Sequence, residues 1–301
     1  MQSSLISMSG ATLQDFSLNA FSLEIDDRDF EFLRHVVGQN AGIVLGPSKR
    51  HLVQGRLARR VRELQLGSFA AYCEHVRNSG PEELVVLINA LTTNVTAFFR
   101  ENHHFEQLTH RMLPEAMERN AVSRRIRIWS AGCSSGEEPY SIAMTVAEAL
   151  PAGQAWDVRI LATDIDSHMV QSAVDGVYPE DRMNGMPLQL DRQRRWCRRG
   201  TGPLAGMIKV KTELSRFVSF GVLNLLAEWP VRGPFDIVFC RNVMIYFDQP
   251  TRDRLIARFA QILAEGGHLC LGHSESIHDP NGPFRPVGRT IYKKVKKVAH
   301  G

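Results

Sequence analysis

The stretch RIRIWSAGCSSGEEPYSIAM, Arg125 to Met144, limits the possible folds more than any other part of the chain. Its first half alternates apolar and polar residues, as a strand does, and stops at Gly132. Its second half is helical in pattern, with Pro139 in the first turn, where a missing N–H costs nothing. The same rhythm then repeats. WDVRILATDID reads as the next strand and FDIVFCRNVMIYF as a buried one. TRDRLIARFAQILAEGG reads as a helix ended by Gly266 and Gly267, and HLCLGHSES as a further strand. Strands alternating with helices predict a parallel sheet in a three-layer, Rossmann-like α/β domain.

The remainder is organised around this unit. From Leu23 to about Met117 the pattern is helical. Asp26 or Asp27 caps a helix with Phe30, Leu33, Val36 and Val37 on its apolar face, and the span Gly42 to Pro47 breaks it. A second helix opens at Pro47 and Ser48, buries Leu52, Leu57, Val61 and Leu64, and closes at Gly67. A third starts at Pro81, with Leu84, Leu87, Ile88 and Leu91 at a period of three to four. Between Tyr178 and Leu225 the strand–helix rhythm fails, and RWCRRGTGPLAGMIKV followed by RFVSFGVLNL reads as a small antiparallel insertion. The expected organisation is a flexible tail over 1–20, a helical domain over 21–100 and a linker helix over 101–123. The α/β domain follows over 124–293, with its β insertion at about 185–220, and a basic tail ends the chain over 294–301.

Composition excludes several classes. The 301 residues carry a formal charge of only +4, so nothing in the balance demands nucleic acid. The five cysteines are scattered, with no CxxC or Cys/His spacing that suits a metal. They read as reduced thiols of a cytosolic protein, and no metal site is expected. No apolar run approaches the roughly 18 residues of a membrane span, and the Ser-rich start, with Asp15 and no basic region, does not resemble a signal peptide.

A glycine turn between a first strand and its helix is where α/β folds hold a nucleotide. A phosphate loop needs GxxxxGK[ST], but Gly136 is followed by Glu137. Gly132 and Gly136 do not make a GxGxxG fingerprint, and the segment is one residue too long for a GxSxG elbow. Carboxylates would repel a phosphate but suit a cationic ligand. S-adenosylmethionine has no phosphate and carries a sulfonium and an ammonium group. Asp164 ends the next strand, 27 residues after Glu137, where an acid commonly takes ribose hydroxyls. A purely structural corner with solvated glutamates is the competing reading.

Three segments in order, LTTNVTAFFRE, SAGCSSGEEPYSIAM and FDIVFCRNVMIYFD, resemble the CheR-type chemotaxis receptor methyltransferases, and the resemblance runs from about residue 23 to 293. It implies a class I methyltransferase domain with a small β insertion behind an all-α domain. The implied activity is methyl transfer from S-adenosylmethionine to glutamate γ-carboxylates of chemoreceptors, with S-adenosylhomocysteine as product. It implies cofactor contacts at Asn94, Thr96 and Arg100, with Arg100 also near the reacting methyl. Glu137 matches the acid for the methionine amino group. Asp164 matches the ribose acid, although Asp166 is close by. Asn224 and Leu225 match adenine-side contacts, Arg241 and Asn242 a segment beneath the methionine, and Tyr246 a hydroxyl near the acceptor. A methyltransferase of RNA or a small molecule and a non-catalytic cofactor binder are the rivals.

Two further features gain meaning from the resemblance. Arg56, Arg59 and Arg60 share a helix face by spacing and would dock an acidic receptor helix. Arg199, Gly200, Gly202, Gly206 and Lys209 resemble the loop with which some members bind a C-terminal receptor pentapeptide by strand addition. A monomer is expected, with no direct membrane insertion and no nucleic-acid partner. His103, His104 and His273 read as structural histidines, and Cys133 and Cys240 as small packing residues.

Overall fold

The computed structural model describes residues 23–295, and the expected N-terminal tail and nearly all of the basic C-terminal tail lie outside them. The described residues begin with four helices, α1 (Asp27–Ala41), α2 (Arg50–Glu63), α3 (Phe69–Asn78) and α4 (Pro81–Leu91). Asp26 caps α1 by accepting from the Asp29 amide at 2.7 Å, and Gly42 ends it in the left-handed region. Helix α3, which the sequence reading did not separate, is capped by Ser68. Phe30, Leu33, Val53, Leu57, Tyr72 and Leu87 meet in one core between these helices. Fully burying side chains of this size contributes about 1.5–3 kcal/mol each.

One interrupted helix leads onward: α5 (His103–Gln107), a π turn over Leu108–Met112, and α6 (Leu113–Arg119). Then follow β1 (Arg125–Ala131), α7 (Glu137–Ala149), β2 (Asp157–Asp164), α8 (Ser167–Asp175), β3 (Val177–Pro179), α9 (Gln189–Trp196), β4 (Cys197–Arg199), β5 (Met207–Val210), α10 (Thr212–Ser215) and β6 (Val218–Val222). The described residues close with β7 (Phe235–Cys240), α11 (Gln249–Ile262), β8 (Leu263–Leu271), β9 (Phe284–Gly288) and β10 (Ile291–Lys294).

Seven strands form the main sheet in the order β6-β2-β1-β7-β8-β10-β9. The first five run parallel, and β10 is antiparallel to both its neighbours. The sheet is covered on both faces, which is why β7 is buried at every position. Ile237 and Phe239 enter the core under α7, whereas Val238 and Cys240 enter the core with Trp129 and Phe259.

Two sequence expectations are corrected. Val218–Val222 does not belong to the antiparallel insertion; it pairs parallel to β2 as the edge of the main sheet. The small sheet is β3-β5-β4 and starts earlier, at Val177. Gly266 and Gly267 do not end a helix. They lie inside β8, where Gly266 has φ 73° and the pairing with β7 slips between Phe235 and Ile237. Among the described residues no helix is long and apolar enough to cross a membrane.

Candidate active site

The carboxyl ends of β1, β2 and β7 point toward the four-helix unit, and a cavity lies between them. The turn after β1 packs its bare backbone closely against the protein's own side chains. The Gly132 and Cys133 amides both donate to the Thr163 carbonyl, at 2.8 and 2.9 Å. Gly132 has φ 94°, and a Cβ there would stand 2.3 Å from Val243 Cγ2. Gly136 has φ 99°, and its Cβ would meet Ala173 and the Tyr178 hydroxyl at 2.8 Å. Both glycines are therefore required by conformation and by space.

Nine of the ten cofactor or catalytic residues expected from sequence border this one cavity: Asn94, Thr96, Arg100, Asp164, Asn224, Leu225, Arg241, Asn242 and Tyr246. They come from the α4–α5 connection, the end of β2, the segment after β6 and the segment after β7. The tenth, Glu137, does not border it. Glu137 is fully buried on another side, where it accepts from Ser135 Oγ at 2.7 Å and pairs with Arg182. Glu138 borders the cavity instead. Consecutive helical residues point about 100° apart, and the phase of α7 turns Glu138, and not Glu137, to the cavity. Glu138 accepts from Ser130 Oγ at 2.7 Å and from Arg241 Nη1 at 2.8 Å.

The structure also separates the two aspartates. Asp164 borders the cavity and accepts from the Ser134 amide at 2.7 Å and the Asp166 amide at 3.0 Å. Burial pushes its carboxyl above the ordinary range, and those amides pull against that shift. Asp166 caps α8 and accepts from Thr92 Oγ1 at 2.7 Å and Asn94 Nδ2 at 2.8 Å. Its work is to join the helical unit to the sheet.

Arg100 stands between two non-glycine residues in the left-handed region, Phe99 at φ 54° and Glu101 at φ 56°. Such backbone costs of order 1–3 kcal/mol per residue and persists where the surroundings enforce it. Here the Phe99 amide donates to Ser141 Oγ at 2.9 Å, Arg100 Nη1 donates to the Val95 carbonyl at 2.6 Å, and Arg241 donates to the Arg100 carbonyl. Arg241, almost fully buried, thus ties the Arg100 turn to Glu138 on α7. Its Nη2 also lies 3.4 Å from Glu101 Oε2.

Two residues that the sequence reading passed over hold this arrangement. Glu275 is buried and accepts four backbone N–H groups: Asn242 and Gly272 on one oxygen, Val243 and Ile245 on the other. Glu101 accepts from His273 Nδ1 at 2.9 Å. Burial opposes its charge, but the His273 bond and the Arg241 cation outweigh it and bring its pKa to about 2. His104 is wholly buried, bonded through Nε2 to Thr290 Oγ1 at 3.0 Å, and burial pushes it down to about 3. Glu101, His103 and His104 are grouped as metal ligands can be. Arg241, however, already brings a positive charge to Glu101, which disfavours a second cation there.

The remaining expected sites are placed as follows. Of the three docking arginines, Arg56 bonds the Leu91 and Thr92 carbonyls at 2.9 and 2.6 Å, and Arg60 forms a two-pronged pair with buried Glu83. Only Arg59, paired with Glu63 on the same helix, stands in solvent. In the small sheet Lys209 lies on the middle strand, flanked by Val177 and Arg198, so a guest strand can add only beside β3 or β4. Gly202 and Gly206 adopt φ 57° and 82°, and a Cβ on Gly200 would stand 2.1 Å from the Leu204 carbonyl. These glycines are already required by the chain's own turn. Arg199 pairs with Glu180 at 2.6 Å. The five cysteines are buried free thiols, and burial pushes Cys133 and Cys240 far above the ordinary range.

Two family models match the chain: the CheR methyltransferase all-alpha domain over residues 28–92 and the CheR methyltransferase SAM binding domain over 94–293. Chemotaxis protein methyltransferase 2 of Pseudomonas aeruginosa is 46% identical over 265 residues, 88% of this chain and 92% of that one. Chemotaxis protein methyltransferase of Escherichia coli is 43% identical over 278 residues, 91% of this chain and 93% of that one. The chain belongs to the CheR family of S-adenosylmethionine-dependent methyltransferases.

Proposed function

We propose that the cavity holds S-adenosylmethionine with its ribose at Asp164, its adenine beside Asn224 and Leu225, and its methionine end against the Glu138–Arg241 pair. The methyl group then faces Arg100 and Tyr246 at the mouth. The acceptor is the γ-carboxylate of a chemoreceptor glutamate, in keeping with the general activity of the CheR family, and the product is a methyl ester used in chemotactic adaptation. The observation that carries the reading is the meeting of Asn94 and Arg100, Asp164, and Arg241, from three distant segments, on one cavity bordered by acids.

The chemistry fits these groups. A glutamate carboxylate, with a reference pKa of roughly 4.3, is ionised at neutral pH and needs no base. It attacks the sulfonium methyl in line, and the sulfur leaves with the bonding pair. Both charges vanish in the transition state, so a dry, aligned site favours the reaction. Arg100, tethered to the Val95 carbonyl, has further guanidinium donors with which to orient the incoming carboxylate. Glu138 and Asp164 recognise cofactor cations and hydroxyls. No metal takes part in this scheme.

The enzyme acts in the cytoplasm as a monomer on receptor helices, with neither nucleic acid nor membrane insertion involved. The β-subdomain takes a C-terminal receptor pentapeptide along β3 or β4. Two of the three arginines on α2 are engaged internally, which weighs against this face as a basic dock for either RNA or an acidic receptor helix. Incubation with cofactor labelled in the methyl group, together with chemoreceptor-bearing membranes, tests the reading. Base-labile label on receptor supports it. Label on RNA, or cofactor binding without transfer, overturns it.

A further inference from the structure

Three large apolar side chains are exposed where the cavity meets solvent. Val95 is 73% exposed and Val44 is 59% exposed, and both border the cavity. Ile245 is 41% exposed and directly precedes Tyr246, which borders it too. They come from three separate segments: the α4–α5 connection, the loop after α1, and the turn after β7.

Their backbones are fixed to one another. The Val44 amide donates to the Tyr246 carbonyl at 2.8 Å, and the Tyr246 hydroxyl reaches the Thr93 carbonyl at 3.4 Å. The Val95 carbonyl accepts from Arg100 at 2.6 Å, and the Ile245 amide donates to Glu275 at 3.2 Å. The rim is therefore preformed, and apolar side chains are held in water on rigid backbone. Lys49, exposed, and Arg100, half-buried, border the same cavity and supply positive charge there.

We infer that Val44, Val95 and Ile245 form the seat for apolar residues that flank the acceptor glutamate on an amphipathic substrate helix. The inference rests on the methyltransferase reading above and adds which neighbours of the glutamate the enzyme selects. The charge pattern supports this occupant. Lys49 and Arg100, which border the cavity, would attract an incoming carboxylate, and it reacts fastest once its water is gone. Apolar side chains one turn before and after it, at i±3 or i±4, would close on the valines and isoleucine and expel that water. A flexible polar loop would offer the same carboxylate without a seal.

The test uses the full chain and membranes bearing a chemoreceptor that the wild-type enzyme methylates. Ile245→Asp and Val95→Asp are expected to raise KM for receptor at least tenfold. Ile245→Asp should leave the cofactor Kd, read by calorimetry, within twofold, and that measurement also verifies its fold. Val122→Asp is the control, since Val122 is wholly exposed just before β1, at the other end of the sheet. A second arm leaves the enzyme intact. Receptor variants with serine in place of the apolar residues three and four positions from the acceptor glutamate should show the same rise in KM. Wild-type KM in both rim variants, or indifference to the serine substitutions, overturns the inference. Failure of the wild-type enzyme to label receptor at all would instead sink the underlying assignment of function.

Discussion

Glu275→Gln replaces one carboxylate oxygen by an amide NH2 and keeps the volume. Each oxygen of Glu275 accepts two backbone N–H groups, so whichever is replaced, two donors then face a donor. A hydrogen bond to a charged group is worth about 1.5–3 kcal/mol. Two lost bonds therefore set a ceiling of about 3–6 kcal/mol. The turn after β7 lies near the cavity mouth and can open to water, so the expected cost is near the lower end, about 3 kcal/mol. At about 2–4 °C per kcal/mol for a domain of this size, Tm should fall by about 6–12 °C. The same turn carries Asn242 and Tyr246, so cofactor affinity should fall with it. The assays are thermal unfolding by circular dichroism and calorimetric titration with S-adenosylmethionine. A Tm within 2 °C of wild type, with unchanged affinity, would refute the claim that Glu275 organises this wall of the cavity.

Glu138→Gln should weaken cofactor binding by about 1.5–3 kcal/mol. Glu137→Gln should chiefly lower stability by disturbing Ser135 and Arg182; the opposite ranking by calorimetry would return the cofactor role to Glu137. Arg60→Glu should cost about 2–3 kcal/mol in unfolding free energy, because it strands buried Glu83. Arg59→Glu should shift stability by less than about 0.5 kcal/mol, and equal losses would show that Arg60 is no more structural than Arg59. His104, held at about 3 against 6.5 when free, stays neutral in the fold while the unfolded chain takes up a proton. Stability should therefore fall as pH drops from about 6.5 toward 3, by up to about 1.4 kcal/mol per unit from this residue. His104→Gln should flatten that slope, and an unchanged slope in urea unfolding at several pH values would contradict the burial argument.

The sequence displayed the parts of this protein whose causes are local. The β1 turn was legible because two glycines and a proline sit at fixed offsets in one segment. The convergence of Asn94, Arg100, Asp164 and Arg241 was legible only through resemblance, since nothing local brings residue 94 to residue 241. Val218–Val222 was assigned to the wrong sheet because a strand's partner is not written in the strand. Its pairing with β2 is a non-local fact. Glu137 and Glu138 are equivalent by composition, and only helix phase against the sheet decides which one faces the cavity. Glu275 gave no signal, being one carboxylate about 30 residues from the turn it holds. Arg56 and Arg60 look like free charge in the sequence because Glu83 and Leu91, on α4, and Thr92, just after it, which occupy them, are distant along the chain.

The cavity lies on a seam. On one side are the four helices, on the other the sheet, and the direct bonds that cross between them beside the site include Asn89 to Ser167, Thr92 and Asn94 to Asp166, Ser134 to the Asn94 carbonyl, Tyr246 to the Thr93 carbonyl, Val44 to Tyr246, and Asn224 to the Asn40 carbonyl. A cofactor seated there touches both sides at once and becomes a strut between the helical core and the sheet, which otherwise pack together through Ile165 and Tyr246. Its binding energy is then spent partly on cohesion. At a hundredfold excess over Kd it adds about 2.7 kcal/mol to whatever holds the two units together. The empty enzyme should melt at the seam first, and the loaded enzyme as one body. The supply of S-adenosylmethionine would then set how much of this protein survives heat and proteolysis, as well as how fast it works.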